Sequence, residues 1–286
     1  MSEDMYTTDE ATGTNWTLWN GDSCERMQEM DNNSVDLSAS LYTYSDSIRD
    51  LGNSTDRAQF LEHYRFIIDQ LLRVTKPGRL ACVHVQQLTT TKATHGVIGL
   101  TDFRGDIIRA YIEAGWVFHG EVTVNKNPQA QAIRTKAQSL MFVTKNRDSS
   151  MSRPALADYL LLFRKPGDNA VPIKTDVSND EWIKWAEPVW WDIRETNTLN
   201  ERLGREDTDE RHICPLQLDF IDRCIRLWSN KDELVFDPFG GLGSTPYEAV
   251  KLGRKGMSIE LKHSYWVESV KLISQLDKQL NTATLF

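Results

Sequence analysis

The chain has 286 residues, 40% of them hydrophobic and 26% charged, with a formal charge of −8. This suits one large globular α/β domain with a sizeable core, and it argues against a protein that coats nucleic acid nonspecifically, because neutralising phosphates needs an excess of cations. No run of about 18 apolar residues occurs, so no membrane span is expected, and four scattered cysteines (Cys24, Cys82, Cys214, Cys224) lack metal-ligand spacing and fit free thiols in a reducing cytosol.

Residues 1–13 read as a disordered lead-in, acidic at its start and without an apolar signal core. Trp16 to Trp19 predicts a short strand ending in Asn20-Gly-Asp22, Asp22 to Met30 a short helix, and Ser34 to Ser38 a second strand. From Asp56 to Thr75 the residues Phe60, Tyr64, Ile67, Ile68, Leu71 and Leu72 form a helical apolar stripe, which Lys76-Pro-Gly78 stops. Arg79 to Val85 reads as a buried strand, Gln86 to Gly99 as a polar loop, and Asp106 to Ala114 as a helix closed by Gly115. Trp116 to Val124 and Asp158 to Phe163 read as strands. Residues 166–211 show no clean periodicity but are rich in Trp, Asn and Arg, and Pro215 to Trp228 is a strongly periodic helix. Strands alternating with helices imply an α/β fold with a doubly wound, mostly parallel sheet.

The most informative segment is Leu234-Val-Phe-Asp-Pro-Phe-Gly-Gly-Leu-Gly-Ser-Thr245, followed by Gly256-Met-Ser-Ile-Glu260. It reads as strand, glycine turn, helix, strand and acidic residue. Gly240, Gly241 and Gly243 allow a tight turn that a ligand can approach down to bare backbone. Ser244 or Thr245 is placed to cap the following helix, whose free N–H groups then point at the ligand. Glu260 lies about where a carboxylate grips ribose hydroxyls in nucleoside-binding α/β folds. A nicotinamide site would show G-x-G-x-x-G; this turn has Asp-Pro-Phe before it and no third glycine in that place.

The string Asp237-Pro-Phe-Gly-Gly-Leu-Gly-Ser-Thr245 resembles the D-P-F-x-G-x-G-[ST]-T motif of S-adenosylmethionine-dependent amino methyltransferases acting on DNA. The order of parts, with the target-facing segment first and the cofactor turn near the C-terminus, is similar to the β class of that family. Leu18-Trp-Asn-Gly-Asp22 and Asn33-Ser-Val-Asp-Leu37 resemble its approach to the catalytic loop, and His212-Ile-Cys-Pro-Leu-Gln217 occupies the place of its H-x-x-K-P-like element. Ser152-Arg-Pro-Ala-Leu-Ala-Asp-Tyr-Leu160 and Trp191-Asp-Ile-Arg-Glu-Thr-Asn197 look like a phage and prophage branch. The resemblance runs from about Thr17 to Leu272. It implies a Rossmann-like methyltransferase fold with an inserted DNA-recognition region, divided as a catalytic half over 14–165, a Trp-rich recognition or connecting segment over 166–211 and a cofactor half over 212–286. It also implies S-adenosylmethionine as cofactor, held by Asp22, Pro215, Asp237, Phe239, Gly241, Gly243, Ser244 and Glu260. The implied reaction is methyl transfer to adenine N6 or cytosine N4 of double-stranded DNA, as in restriction-modification. The setting would be the cytoplasm of a bacterial or phage-infected cell, with no membrane partner and with room for a homodimer.

One departure from the family is large. The family carries D-P-P-Y, S-P-P-Y or S-P-P-F after the Ser34–Ser38 strand, where acceptors grip the exocyclic amino group and the aromatic stacks on the flipped base. Here the chain reads Asp36-Leu-Ser-Ala-Ser-Leu-Tyr-Thr-Tyr-Ser45 with no Pro-Pro. Ser40, Tyr42 and Tyr44 are the residues left to do that work. Arg134, Lys136, Lys145 and Arg153 are the candidate phosphate contacts, within the regions 86–100, 125–153 and 166–211 that remain once the core elements are assigned. Two other readings stay open: a non-catalytic methyltransferase-like protein that binds DNA or cofactor as decoy or partner subunit, and a methyltransferase for RNA or a small molecule. No P-D…(D/E)-x-K pattern supports a nuclease.

Overall fold

A computed structural model describes residues 8–40, 57–90, 92–129, 145, 146, 148–199 and 216–283. In chain order its elements are β1 (Glu10–Thr12), β2 (Trp16–Asn20), α1 (Ser23–Arg26), a 3₁₀ turn (Met27–Glu29), β3 (Val35–Ser40), α2 (Arg57–Val74) and β4 (Thr75–Gln86). There follow β5 (Leu88–Thr90), α3 (Lys92–His95), β6 (Gly99–Thr101), α4 (Phe103–Glu113), β7 (Val117–Val124), a second 3₁₀ turn (Ser149–Met151) and β8 (Asp158–Arg164). The last are α5 (Asn179–Trp185), β9 (Val189–Trp190), α6 (Leu218–Trp228), β10 (Leu234–Asp237), α7 (Ser244–Lys251), β11 (Lys255–Glu260) and α8 (His263–Ala283).

Nine strands form one sheet in the order β1-β2-β11-β10-β3-β4-β8-β7-β9. From β2 to β4 the strands are parallel; β1 and β8 run antiparallel to their neighbours, and β9 is parallel to β7. The fold is thus the expected doubly wound, mostly parallel sheet. Period-2 alternation sorts β4 and β10 between two helical layers, and on β3 the register slip between Val35 and Leu37 turns these two residues to opposite faces. Val35, Ala81, Val83, Val85 and Phe236 turn to a core completed by α2 and α4 through Phe60, Tyr64, Ile67, Ile68, Leu71, Ile107 and Tyr111. Leu37, Leu80, Cys82 and Val235 turn to the opposite core, completed by Phe220, Ile221, Cys224 and Ile225 of α6 and Ala249 of α7. α8 closes the β2 end with Ile273 and Leu276 against Trp16 and Leu18.

The expected halves share this sheet rather than dividing it, because β10 and β11 are inserted between β2 and β3. From β10 the chain crosses by α7 to β11 on one side; from β3 it reaches β4 on the other. The crossovers part between β10 and β3, and that divergence opens a crevice at the carboxyl ends of the strands, where ligands of open α/β sheets bind.

Several expectations need correction. Part of the supposed disordered lead-in is β1, which pairs with β2 from Glu10↔Trp19 to Thr12↔Thr17; three residues are too few to show a period. Lys76-Pro-Gly78 does end α2, but β4 begins at once. Between Val35↔Thr75 and Leu37↔Leu80 the register slips, and Pro77 and Gly78 (φ 73°) lie in that bulge. α4 starts earlier than its apolar pattern suggests, because Asp102 caps it by accepting from Gly105 N at 3.0 Å. The polar loop after Gln86 folds as β5, α3 and β6, and the aperiodic Trp-rich segment contains α5, started by a Ser178–Glu181 capping box, and edge strand β9.

The β11–α7 contact has no room for a side chain at Gly256. A Cβ there would lie 2.6 Å from the Pro246 carbonyl oxygen and 2.7 Å from Pro246 Cα, both backbone atoms. Gly256→Ala should therefore cost about 1–3 kcal/mol of stability by forcing the helix off the strand. An unchanged melting temperature in circular dichroism would refute that packing.

Candidate functional site

On its β10 side the crevice is bordered by the ends of three neighbouring parallel strands, β10, β11 and β2. β10 ends in Asp237, which is 3% exposed. Its Oδ1 accepts from Phe239 N at 2.9 Å and its Oδ2 from the Thr245 hydroxyl at 2.6 Å. The turn that follows is fixed by Gly240 N donating to Ile259 O and Gly243 N to Gly240 O, both at 2.7 Å. Gly241 (φ 51°) and Gly243 (φ 79°) sit in the left-handed region that favours glycine. Gly243 is itself the N-cap of α7, with no side-chain cap. The expected Ser or Thr cap is therefore corrected: Ser244 is the first helical residue, and Thr245 turns back to Asp237.

β11 ends in Glu260, beside that turn. Its Oε2 accepts from Gly241 N at 2.7 Å and its Oε1 from Lys262 N at 2.8 Å. A carboxylate oxygen has two acceptor positions, so each oxygen keeps one for a ligand hydroxyl. A Cβ built on Gly241 meets no atom of the described residues within 4 Å, whereas one on Gly240 would strike Ser258 Oγ at 2.6 Å. The turn is packed on its inner side and open at Gly241, as a backbone cradle for a ligand requires.

β2 supplies the third wall. Asn20, fully buried, donates from Nδ2 to Glu260 O at 2.6 Å and Leu261 O at 3.2 Å, and its Oδ1 meets His263 Nδ1 at 2.9 Å. Gly21 N donates to Glu260 O at 3.0 Å. Asp22 then caps α1, its Oδ1 accepting from Cys24 N at 2.7 Å and Glu25 N at 3.3 Å, while the Ser23 hydroxyl donates to Pro238 O. Asp22, Asp237 and Glu260, drawn from opposite ends of the chain, thus meet at one edge. Phe239 is half-buried, its ring stacked on Tyr64 with centroids 6.2 Å apart.

Asp237 is buried and Glu260 half-buried, so both carboxyls are poorly solvated. Burial, reinforced by the charge of Glu260, pushes the Asp237 carboxyl up to about 7 against the hydrogen bonds from Thr245 and Phe239. Burial likewise raises Glu260 against the N–H groups of Lys262 and Gly241. Carboxyls raised in this way favour a ligand that brings hydroxyl donors or positive charge.

Farther along the same edge Asp158, at the start of β8, meets Lys126 Nζ at 2.5 Å, His84 Nε2 at 3.0 Å and Gln86 Nε2 at 2.7 Å. This cluster ties the ends of β4, β7 and β8 together. Lys145 is exposed. Arg153 is half-buried; its Nη1 has no hydrogen-bond partner among the described residues, and burial lowers its pKa. Ser40 ends β3, paired with Val83, and its side chain is outside the described residues. Tyr42, Tyr44, Arg134, Lys136 and Pro215 also lie outside them. Sequence reasoning missed Asn20; its only signal was the strand-ending Asn20-Gly-Asp22.

Comparison with known proteins gives the same picture. The sequence model of a family described as DNA methylase matches residues 35–271. Among curated proteins, the type II methyltransferase M1.MboII of Moraxella bovis is 34% identical over 77 residues, 27% of this chain and 30% of that one. M.MjaI of Methanocaldococcus jannaschii is 23% identical over 205 residues, 68% of this chain and 61% of that one. The first relatives are matched over only 28–32% of their own length. Among solved structures, the putative DNA modification methylase TTHA0409 of Thermus thermophilus, complexed with S-adenosyl-L-methionine, superposes with a TM-score of 0.70 at 20% identity, covering 90% of this chain and 92% of that one. The PvuII DNA methyltransferase (cytosine-N4-specific) does so at 0.66 and 17% identity, covering 94% and 93%. At these identities the superpositions establish the fold.

Proposed function

The chain belongs to the DNA methylase family, and from that premise we propose that it binds S-adenosylmethionine in the β10–β11 crevice and is built to deliver its methyl group to an exocyclic amino group of DNA, adenine N6 or cytosine N4. The observation that carries this reading is the Asp237–Gly243 turn, open at Gly241, beside a Glu260 that keeps acceptor positions on both oxygens. Glu260 holds the ribose hydroxyls, the backbone at Gly241 and Gly243 and the start of α7 at Ser244 receive the methionine part, and Asp237 holds the turn through Phe239 N and Thr245. Asp22 and Asn20 fix the third wall, and the family resemblance assigns Pro215 to the cofactor. The bound cofactor supplies a sulfonium methyl with a good leaving group, so positioning of the acceptor is the chain's main task. Lys145 and Arg153, with Arg134 and Lys136, contact DNA phosphates. The orphaned guanidinium nitrogen of Arg153 supports that assignment, since a desolvated cation is stabilised by an anion. The protein works in the cytoplasm of a bacterial or phage-infected cell.

The missing Pro-Pro after β3 favours a second reading, a cofactor- or DNA-binding protein that transfers no methyl group. The first reading requires cofactor binding, and calorimetry tests it. Gly241→Val should weaken S-adenosylmethionine by tenfold or more, because the new side chain fills the cradle and a β-branched residue strains the turn backbone at φ 51°. Glu260→Ala should cost about 10- to 150-fold, from charge-assisted hydrogen bonds worth roughly 1.5–3 kcal/mol. Absence of binding by the folded parent chain would remove the cofactor assignment.

A further inference from the structure

The two-stranded ribbon of β5 and β6 leaves the sheet at the carboxyl end of β4, one strand from β3. It stands at the crevice edge and is not part of the cofactor walls. Its base is rigid. Leu88 is buried in the α2–α4 core, Gln87 Nε2 donates to Asp102 Oδ1 at 3.1 Å, and Gln87 Oε1 accepts from Arg104 N at 3.1 Å. The register Leu88↔Thr101, Thr89↔Leu100, Thr90↔Gly99 carries the chain outward. Three residues per strand at about 3.3 Å each place the tip roughly 10 Å beyond the base.

The tip has an unusual make-up for this chain. Val97 is 63% exposed, Ile98 44% and Leu100 47%. The run Gln87 to Thr101 contains no Asp or Glu, although 41 of the 286 residues are acidic and about two would fall in a stretch of that length. In their place stand Lys92 and the hydroxyl residues Thr89, Thr90, Thr91, Thr94 and Thr101. A projecting aliphatic tip whose acid-free, hydroxyl-rich flanks carry one lysine matches a partner that is a polyanion outside and an apolar stack inside. Duplex DNA has that chemistry. The major groove, ≈ 12 Å wide and ≈ 8.5 Å deep, admits a two-stranded ribbon, and aliphatic side chains serve as wedges between base steps.

We propose that the β5–β6 ribbon enters the DNA groove beside the target nucleotide and presses Val97, Ile98 and Leu100 into the base stack, filling the gap that an extruded base leaves. This rests on the DNA-methylating reading of the crevice and adds to it the element that opens the stack. Lys92, with Thr89 and Thr101, holds the flanking phosphates.

The test compares two 30-bp duplexes of identical sequence, one intact and one with a single abasic site, by fluorescence anisotropy with the full chain and S-adenosylhomocysteine. An abasic site removes the unstacking cost, so the parent protein should prefer that duplex by about tenfold or more. The Val97→Ser, Ile98→Ser, Leu100→Ser triple variant should lose this preference. It should keep the parent's salt dependence, which the phosphate contacts set, and its melting temperature, since the three positions are exposed. A preference retained by the triple variant, or absent from the parent, overturns the wedge while leaving DNA binding in place. Failure of the parent to bind either duplex overturns the DNA reading itself.

Discussion

Inserting a Ser-Pro-Pro-Phe-containing segment after Ser38 is expected to raise methyl transfer to DNA by about a thousandfold or more. An aromatic amino group is a poor nucleophile because its lone pair is delocalised into the ring. Acceptors that grip its hydrogens favour the tetrahedral nitrogen that attacks the methyl carbon; as the N–C bond forms the S–C bond breaks, and the nitrogen then sheds a proton. β3 pairs through Ser38↔Ala81, Ala39↔Cys82 and Ser40↔Val83, so it delivers the chain to the crevice edge beside β10 without those acceptors. Losing positioned acceptors costs several kcal/mol of barrier, which sets the expected factor. Single-turnover transfer of labelled methyl to DNA, with and without the insert, measures it. Robust transfer by the unaltered chain would assign the gripping role to Ser40, Tyr42 or Tyr44, and alanine at each would show which.

The second large effect belongs to Asp237. Its carboxyl, ordinarily near 3.8, is pushed up to about 7 by burial, with Glu260 adding to the shift. Between those values the folded protein retains a proton that the unfolded chain has released. The stabilising contribution is therefore complete below about pH 4, declines as pH rises, and is gone above about 7. A shift of that size corresponds to something on the order of 4 kcal/mol. Asp237→Asn keeps an oxygen for Phe239 N and offers an N–H to the Thr245 oxygen, yet cannot ionise. It should be more stable than the parent at pH 8 by up to that amount and closely matched at pH 4. Urea unfolding at the two pH values decides the matter; equal stability at pH 8 would mean that Asp237 ionises freely in the folded state.

The glycine turn was legible because its function is conformational: Gly241 and Gly243 adopt positive φ, and the sequence carries that requirement directly. The helical stripes of α2 and α6 were legible for the same local reason. Asn20 was not, since its partners are the backbone carbonyls of Glu260 and Leu261, and a carbonyl has no sequence signature. Nor was the cap of α7, where Asp237 draws the Thr245 hydroxyl away from the helix end. The start of α4 was hidden by a glycine in its first turn, and the β5–β6 ribbon by strands too short to alternate. Strand order escaped as well, because the α/β pattern gives the alternation of elements and not which strands become neighbours.

That order bears on how the protein emerges from the ribosome. β2 and β3 are made early, but the two strands between them come from residues 234–260. Until those residues leave the exit tunnel, the nascent sheet has a gap two strands wide, about 14 Å between its flanking edges. The exposed edges of β2 and β3 and the unfilled apolar faces beside them are open to chaperones or to mispairing for most of synthesis. Residues 234–260 then lock β2 and β3 together, so sheet closure and completion of the cofactor crevice are one event.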